Sequence, residues 1–571
     1  MISADRFLVR ETAPIQELLD VLARQVSGTY GSGFAIVVDA DGRMVGTCTD
    51  ADISKYLRRH SVLPESTGEV AQRGFAFLDG LLDPDQQQRA VSKIFEERGW
   101  LTEVPTKLIP VVVQGTPIGI LEISSDDPQM ALIRDRAVVI GLGYIGLTLA
   151  CALADAGIET HGVETDQSKR KSLETFTDYT GEPGVQNLLT KHLGKKLSVH
   201  SSVEDLPVIS SGRRNVFIIC VGTPLVTETE VDRSFLESAI KDILRIITRN
   251  SLIVLRSTVP IGTTRELAKR IENARGWRVD SDCFVANAPE RTVEGDALRE
   301  LRKLPQLVSG VTNSCTNRVI DFFRPISEAI VNMESPEAAE LAKLGSNAYR
   351  DYVFGFAKHL ASLSLRHGID VNQMIGQMNS GYSRNAVPQP SPGVGGPCLE
   401  KDSWILELGS DEPHLSPILA ARRRNQAFVQ EVVSYVDKTF VSAHVTEVLC
   451  VGLAFKGVPS TPDLRGSPGV EIARGLASKG YKLRGLDAVA NLEDLDIEPP
   501  DSSFNPGAVL LLNNHVQNVE LLETFLIARP EKHFLIFDPW RLLDHQWFRS
   551  FALSGPGFTV MSLSHSWEVK A

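Results

Sequence analysis

The stretch Arg136-Ala-Val-Val-Ile-Gly141-Leu-Gly143-Tyr144-Ile145-Gly146-Leu147 decides the fold. An apolar run enters a G-x-G-x-x-G turn, Leu147–Ala156 follows with helical composition, and Gly157 closes it. A second apolar run ends at Gly162-Val163-Glu164, an acid about 20 positions further on. In that context the glycines let backbone approach a pyrophosphate at a helix N-terminus, and the acid accepts hydrogen bonds from a ribose. The pattern predicts a βαβ unit binding a dinucleotide at Gly141, Gly143, Tyr144, Ile145 and Gly146. Glu164 would repel a 2′-phosphate, which favours NAD over NADP, although Lys169 and Arg170 lie close enough to weaken that preference.

Outward from this unit, three more apolar runs each end in a polar signature. Asn215–Val221 leads to Gly222-Thr223-Pro224, and Leu252–Arg256 leads to Ser257-Thr258-Val-Pro-Ile-Gly262. Cys283–Asn287 leads to Pro289-Glu290 and then Glu294-Gly295. Ligands of open α/β sheets bind beyond the carboxyl ends of the strands, so these signatures are expected to share one cleft. Thr258 offers a hydroxyl. Glu290 and Glu294 would stand one turn apart on a helix, a carboxylate pair suited to positioning water.

Ser335-Pro336-Glu337 reads as N-cap, first-turn proline and dipole-matched acid of a long helix reaching about Arg366. Lys343 and Asn347 share a face that runs from Ala339 to Arg350 and Asp351. Such a stripe is usually solvated; if the helix is covered, its lysine must be paired or used. Beyond it lies Ser391-Pro-Gly-Val394-Gly395-Gly-Pro-Cys398-Leu-Glu-Lys401-Asp402. A helix starting near Cys398 would favour a thiolate through its N–H groups and dipole, with Asp402 on the same face. A cysteine alone is more often buried and inert.

The last part, from Val448–Gly452 through Lys456 and Arg465, has strands ending at Asp487, near Asn513-Asn514-His515 and at Asp538. It reads as a second parallel α/β unit without G-x-G-x-x-G, so a second dinucleotide is not expected. At the other end, Phe34–Cys48 and Pro110–Leu121 are two similar hairpins with Gly46 and Gly119 at matching places, and Asp85–Glu97 is helix-like between them. Ser124-Ser-Asp-Asp-Pro-Gln reads as a hinge.

Chain-wide properties bound the function. The chain has 571 residues, 43% hydrophobic, with mean hydropathy -0.04 and formal charge -12. That length and composition fit several globular domains, and the charge argues against nucleic acid or an anionic membrane as a general partner. Seven scattered cysteines form no CxxC pair, so neither a metal site nor a disulfide framework is expected, and a reducing cytoplasmic setting is. No apolar run reaches the roughly 18 residues of a membrane span, and the opening Met-Ile-Ser-Ala-Asp-Arg lacks a signal-peptide pattern.

The hairpin repeat resembles a pair of CBS motifs, modules that often bind adenine nucleotides and regulate an attached enzyme. The resemblance gives a Thr-x-x-Asp ribose contact to Thr49 and Asp52; Glu122 and Ser125 stand in those places of the second copy. A pair that only packs or dimerises remains the alternative. From about 134 to 545, the ordered set Gly141–Leu147, Cys220-Val-Gly-Thr-Pro, Ser257-Thr-Val-Pro-Ile-Gly, Pro289-Glu290 with Glu294-Gly295, Lys343 with Asn347, and Gly395–Asp402 resembles the UDP-glucose/GDP-mannose dehydrogenase family.

This resemblance implies two Rossmann-like parallel-sheet domains joined by a long central helix, after an α+β CBS-like pair. The expected boundaries are 1–127 for the CBS-like pair, 134–328 for the NAD domain, 329–435 for the central helical region and 440–571 for the sugar-nucleotide domain. It implies NAD-dependent four-electron oxidation of a nucleotide-sugar C6 alcohol to a uronic acid in a homodimer. UDP-N-acetylhexosamine is slightly favoured by Pro-Gly-Val-Gly-Gly, with UDP-glucose next. Cys398 would carry a thiohemiacetal and thioester, Lys343 would stabilise the oxyanion, and Asn347, Asp402, Thr258, Glu290 and Glu294 would manage water. Gly222, Thr223, Thr258, Lys401 and Arg465 would meet the cofactor. Glu290, Lys343, Asn347, Val394, Gly395, Lys456 and a partner-supplied Arg384 would meet the substrate. An inactive nucleotide-sensing scaffold and a two-electron hydroxyacid-type dehydrogenase remain alternatives.

Overall fold

Asp135–Ile140 (β1) stands at the middle of an eight-stranded sheet. In chain order, β1, Glu159–Val163, Leu197–His200, Arg214–Ile219, Leu252–Leu255 and Phe284–Asn287 are parallel, in spatial order 3-2-1-4-5-6. Gln306–Gly310 then pairs antiparallel to Phe284–Asn287, and Ile330–Asn332 lies beyond it. This is the doubly wound dinucleotide order, with its switch point between β1 and Arg214–Ile219. Both faces of β1 are buried: Ala137 and Val139 pack on one side, Val138 and Ile140 on the other. Such two-sided burial is why the strand reads as a continuous apolar run.

In this computed structural model the described residues are 2–26, 33–82, 86–87, 90–91, 93–94, 107–123, 135–208, 213–408, 410–493, 495–529, 532–543, 557–563 and 566–569. The expected hinge at Ser124–Gln129, most of the helix over Asp85–Glu97, and Ser125 lie outside them.

Tyr144–Asp155 (α1) opens on Gly143. Pro336–His367 (α2) is capped by Ser335, whose Oγ accepts from the Ala338 N–H, and ends at Gly368 with φ +64°. Its buried residues include Lys343, Asn347, Asp351 and Lys358, so the stripe is not a solvated face. Leu399–Leu406 (α3) and Pro417–Ser442 (α4) pack on it. Gly355 allows this crossing, because a Cβ there would sit 2.8 Å from the Ala421 carbonyl oxygen.

The C-terminal sheet has six strands, in the order Lys482–Leu486, Glu447–Val451, Ala508–Leu511, His533–Phe537, Gly557–Met561 and Ser566–Val569. All neighbours are parallel except the last pair. The N-terminal part holds a three-stranded and a four-stranded sheet. Each contains one predicted hairpin, and the repeat is visible in the register. Val37 pairs with Gly46 and Val111 with Gly119, and each register shifts immediately after that pair.

Candidate active site

The glycine turn after β1 is built for close approach. A Cβ on Gly146 would fall 1.8 Å from the Gly141 carbonyl oxygen, Gly141 has φ +87°, and Gly143 and Gly222 face open space. Glu164 is buried at the end of the second strand. Its Oε2 accepts from Leu142 N–H at 3.0 Å and its Oε1 from Asp166 N–H at 2.9 Å. Lys169 Nζ is 3.8 Å from that carboxylate, while the Arg170 guanidinium donates to the Glu164 carbonyl. Bare backbone at the helix start and an acid at the strand end fit an adenosine pyrophosphate. Tyr144 bonds Glu182, and Gly295 N–H donates to both, at 2.9 and 2.8 Å. Thr223 Oγ1 donates to the Thr258 carbonyl at 2.6 Å, tying two strand-end loops together.

Between the two large sheets, Cys398 is the N-cap of α3 and stays solvent-accessible although protein surrounds it. One turn on, Asp402 is fully buried. Its Oδ2 accepts from Lys343 Nζ at 2.9 Å and Asn347 Nδ2 at 2.6 Å, and its Oδ1 from Lys401 Nζ at 2.7 Å. Burial pushes the Asp402 carboxyl up, but the two ammoniums outweigh it and bring it to about 2. Burial pulls Lys343 down, and Asp402 more than reverses that, so its pKa is raised. Lys343 is therefore a fixed cation aimed at the space beside the thiol.

Two expectations need correction. The thiol is not poised as a thiolate: burial raises it, Asp402 and Glu294 add to that, and Lys343 and Lys401 offset it only in part. Glu290 and Glu294 form no carboxylate pair, because Pro289–Val293 is not helical. Glu290 is spent on the buried Arg256 guanidinium and on Arg291 and Thr292 N–H groups, which hold it ionised against burial. Glu294 lies apart, raised by burial and by Asp463, with Thr461 Oγ1 donating to it at 3.3 Å. Lys401 is partly exposed and its Nζ is held by Asp402 Oδ1. Arg465, with its side chain 67% exposed, is held by Asp463 and stands 3.9 Å from Glu294.

Lys456 Nζ donates to the Glu294 carbonyl at 2.7 Å, bridging the second sheet to this cleft. Val394 and Gly395 rest on the same side: a Gly395 Cβ would lie 1.7 Å from the Gly466 carbonyl oxygen. Arg384 is exposed, its guanidinium over the Tyr382 ring at 4.7 Å. Thr49 and Asp52 are brought together, the Thr49 hydroxyl donating to Asp52 Oδ2 at 2.7 Å in a capping box.

Three contributors escaped the sequence reading. Arg256 ends an apolar strand, and a charge at that place was its one signal. Arg350 donates to Asn347 Oδ1 and lies near Lys456. Glu340 reaches from α2 to the helix Thr263–Arg275, accepting from Gly262 N–H and Thr264 N–H at 2.6 and 2.8 Å. It thereby fixes the Thr258 loop against the helix that carries Lys343.

Residues 135–327 match the NAD-binding domain of the UDP-glucose/GDP-mannose dehydrogenase family, residues 337–427 match its central domain, and residues 2–59 match a CBS domain. A UDP-N-acetyl-D-mannosamine dehydrogenase of Pyrococcus horikoshii is 32% identical over 357 residues, 62% of this chain and 83% of that protein. The chain belongs to the UDP-glucose/GDP-mannose dehydrogenase family. This family member is an oxidoreductase of the nucleotide-sugar dehydrogenases, with NAD as its cofactor. An NDP-N-acetyl-D-galactosaminuronic acid dehydrogenase of Ralstonia nicotianae is 30% identical, covering 72% of the chain and 91% of that relative. The solved UDP-D-ManNAc dehydrogenase from P. horikoshii aligns with TM-score 0.62 and 29% identity, over 70% of this chain and 94% of that one. No described helix of this dehydrogenase is long and apolar enough to cross a membrane.

Proposed function

We propose that this dehydrogenase carries out the four-electron oxidation of the C6 alcohol of a UDP-N-acetylhexosamine to the uronic acid. The observation that carries the reading is the buried Lys343–Asn347–Asp402 cluster beside an accessible Cys398, between two nucleotide-binding sheets. The substrates named for the relatives, UDP-N-acetylmannosamine and an N-acetylgalactosamine derivative, support the acetamido sugar over UDP-glucose.

NAD supplies the hydride acceptor for both oxidations. In the first, the C6 hydroxyl gives its proton to a water in the cleft as hydride leaves C6, Lys343 donates a hydrogen bond to the oxygen on which negative charge develops, and Asn347 orients the sugar. Cys398 Sγ then adds to the aldehyde carbon, and oxidation of that thiohemiacetal leaves a thioester. The resting thiol is raised, so its proton passes to the former aldehyde oxygen as the C–S bond forms, and that hydroxyl proton goes to water when the second hydride leaves. Glu294, raised by burial and by Asp463 although Arg465 stands 3.9 Å away, takes a proton from the hydrolytic water, aided by Thr258. Asp402, with both oxygens occupied, holds the cations instead of acting as the base. Glu290 keeps Arg256 in place beneath the cleft, and Lys456 binds the sugar diphosphate.

The reading divides the chain into a CBS-like pair (1–127), an NAD domain (134–328), a central region (329–435) and a sugar-nucleotide domain (440–571). The exposed stripe Leu341, Tyr349, Tyr352, Phe356 and Leu363 on α2 supports a homodimer, with Arg384 reaching a partner's substrate. Thr49 and Asp52 support one adenine-nucleotide site that regulates the enzyme. Seven free cysteines suit a cytoplasmic setting.

The deciding measurement is NADH released per sugar consumed, with UDP-N-acetylmannosamine, UDP-N-acetylgalactosamine, UDP-N-acetylglucosamine, UDP-glucose and GDP-mannose. Two per sugar supports the reading. One supports a two-electron dehydrogenase, and none supports a sensing scaffold. Calorimetry with AMP, ADP and ATP tests the regulatory site; no heat with any of them removes it.

A further inference from the structure

Beneath the cysteine segment lies a second buried cationic cluster that the chemistry above does not use. Lys358 is 1% exposed on α2, and among the described residues its Nζ has one hydrogen-bond partner, Ser391 Oγ at 3.3 Å. Ser391 Oγ donates in turn to the Gly393 carbonyl at 2.5 Å, inside the turn that leads to Cys398. Arg422, equally buried on α4, donates to the Leu399 carbonyl at 3.2 Å and the Val394 carbonyl at 3.5 Å. These two backbone contacts bracket Cys398 on either side. Among the described residues Arg422 pairs with the Asp351 carboxylate at 3.0 Å, which also accepts from Ser403 and Asn425, and the partly buried Glu400 carboxyl faces the same guanidinium.

We propose that Lys358 is a positioning residue for Cys398, setting the cysteine turn through Ser391 and through its charge facing Arg422. The inference rests on the covalent role given to Cys398. Among the described residues the amine is surrounded by the Phe354 ring, Ser391 and neighbouring ionic groups, a packed setting that suits holding the turn. Burial pulls the amine down to about 7, Arg422 and Arg424 pull in the same direction, and Asp351 opposes them. Arg424 is itself paired with Glu431 at 2.5 Å. Near neutrality the lysine therefore changes charge, and it does so against Arg422. The neutral amine still donates to Ser391 and leaves Arg422 on its two carbonyls. Protonation adds a cation that Asp351 must share with Arg422, whose other acidic neighbour is Glu400, and loosens the longer Arg422 contact, the one to Val394. A thiol displaced by about an ångström loses up to about a hundredfold in rate.

The test uses the full chain and a probe that needs no sugar: alkylation of Cys398 by iodoacetamide, read at its own peptide by mass spectrometry, from pH 5.5 to 9. The rate is divided by the thiolate fraction obtained from a thiolate absorbance titration. In the unmodified protein the corrected rate should be high above pH 7 and fall about tenfold as the pH drops through about 7, where Lys358 gains its proton. Lys358→Met should abolish the step and lower the rate at high pH. Lys358→Gln, a neutral donor, should abolish the step but restore the high-pH rate. Ser391→Ala, on a partly exposed loop, should break the link with the lysine intact, which keeps the test decisive if Lys358→Met does not fold. The proposal is overturned if Ser391→Ala, or a folded Lys358→Met, keeps the unmodified profile. Because alkylation is read without substrate, a wrong sugar assignment would show as absent turnover with the alkylation step still present.

Discussion

Lys343 Nζ lies 2.9 Å from Asp402 Oδ2 and joins α2 to α3 through a carboxylate that solvent does not reach. Asp402 is also the counter-charge of Lys401, so two ammoniums depend on one acid. Asp402→Asn removes that charge and leaves Lys343 buried without compensation. The expected loss is about 3 kcal/mol or more of stability, read by urea unfolding, with NADH production falling at least about a hundredfold because the oxyanion donor is no longer held.

The same pair makes stability depend on pH in a defined direction. Asp402 titrates at about 2 when folded and near 3.9 when unfolded. Its contribution is therefore fully present above about pH 4–5 and disappears as the pH falls towards 2. Urea midpoints taken between pH 6 and 2.5 should decline in the unmodified protein by an amount on the order of 2 kcal/mol more than in Asp402→Asn. Parallel curves for the two proteins would contradict the assignment.

Cys398→Ser should separate the two oxidations. The hydroxyl cannot replace the thiolate as nucleophile, so uronic acid formation should drop by at least about a thousandfold, while NAD affinity and the melting temperature stay near their starting values. A serine variant that forms acid at an undiminished rate would refute the covalent role.

Gly295 is a contact point between the two large domains. Its φ is +89°, and a Cβ would approach the Ser460 carbonyl oxygen to 2.4 Å. Gly295→Ala should cost about 1–3 kcal/mol and shift Glu294 with it. Thermal unfolding checks the first effect, and a fall in kcat larger than the change in KM for NAD checks the second.

Much of this was legible before any coordinates. The β1 run, its glycines and Glu164 carry a local rule, since strand, turn and helix each need only neighbours in sequence. Ser335 and Pro336 mark the start of α2 for the same reason. The burial of Lys343 was not legible, because a polar stripe looks alike whether water or another helix covers it. Glu290 was misread as half of a pair because its spacing to Glu294 has meaning only on a helix. The segment instead bends to bring Glu290 to Arg256, a partner in the neighbouring strand's loop. Lys358 and Arg422 were invisible as a unit, being far apart in sequence and joined only through Ser391, Val394 and Leu399. The thiol's raised pKa likewise comes from the protein mass around it, not from the residues beside it in the chain.

The contact between Gly395 and Gly466 leaves no room for a side chain, and Gly396 N–H closes it with a hydrogen bond of 3.2 Å to the Gly466 carbonyl. The cysteine loop is thus laid directly on the C-terminal sheet's own loop, whereas the dinucleotide turn belongs to the other sheet. The same loop is tied to the other side through Asp402, Lys343 and Glu340, so the sulfur is strung between the two sheets and feels any change in their spacing.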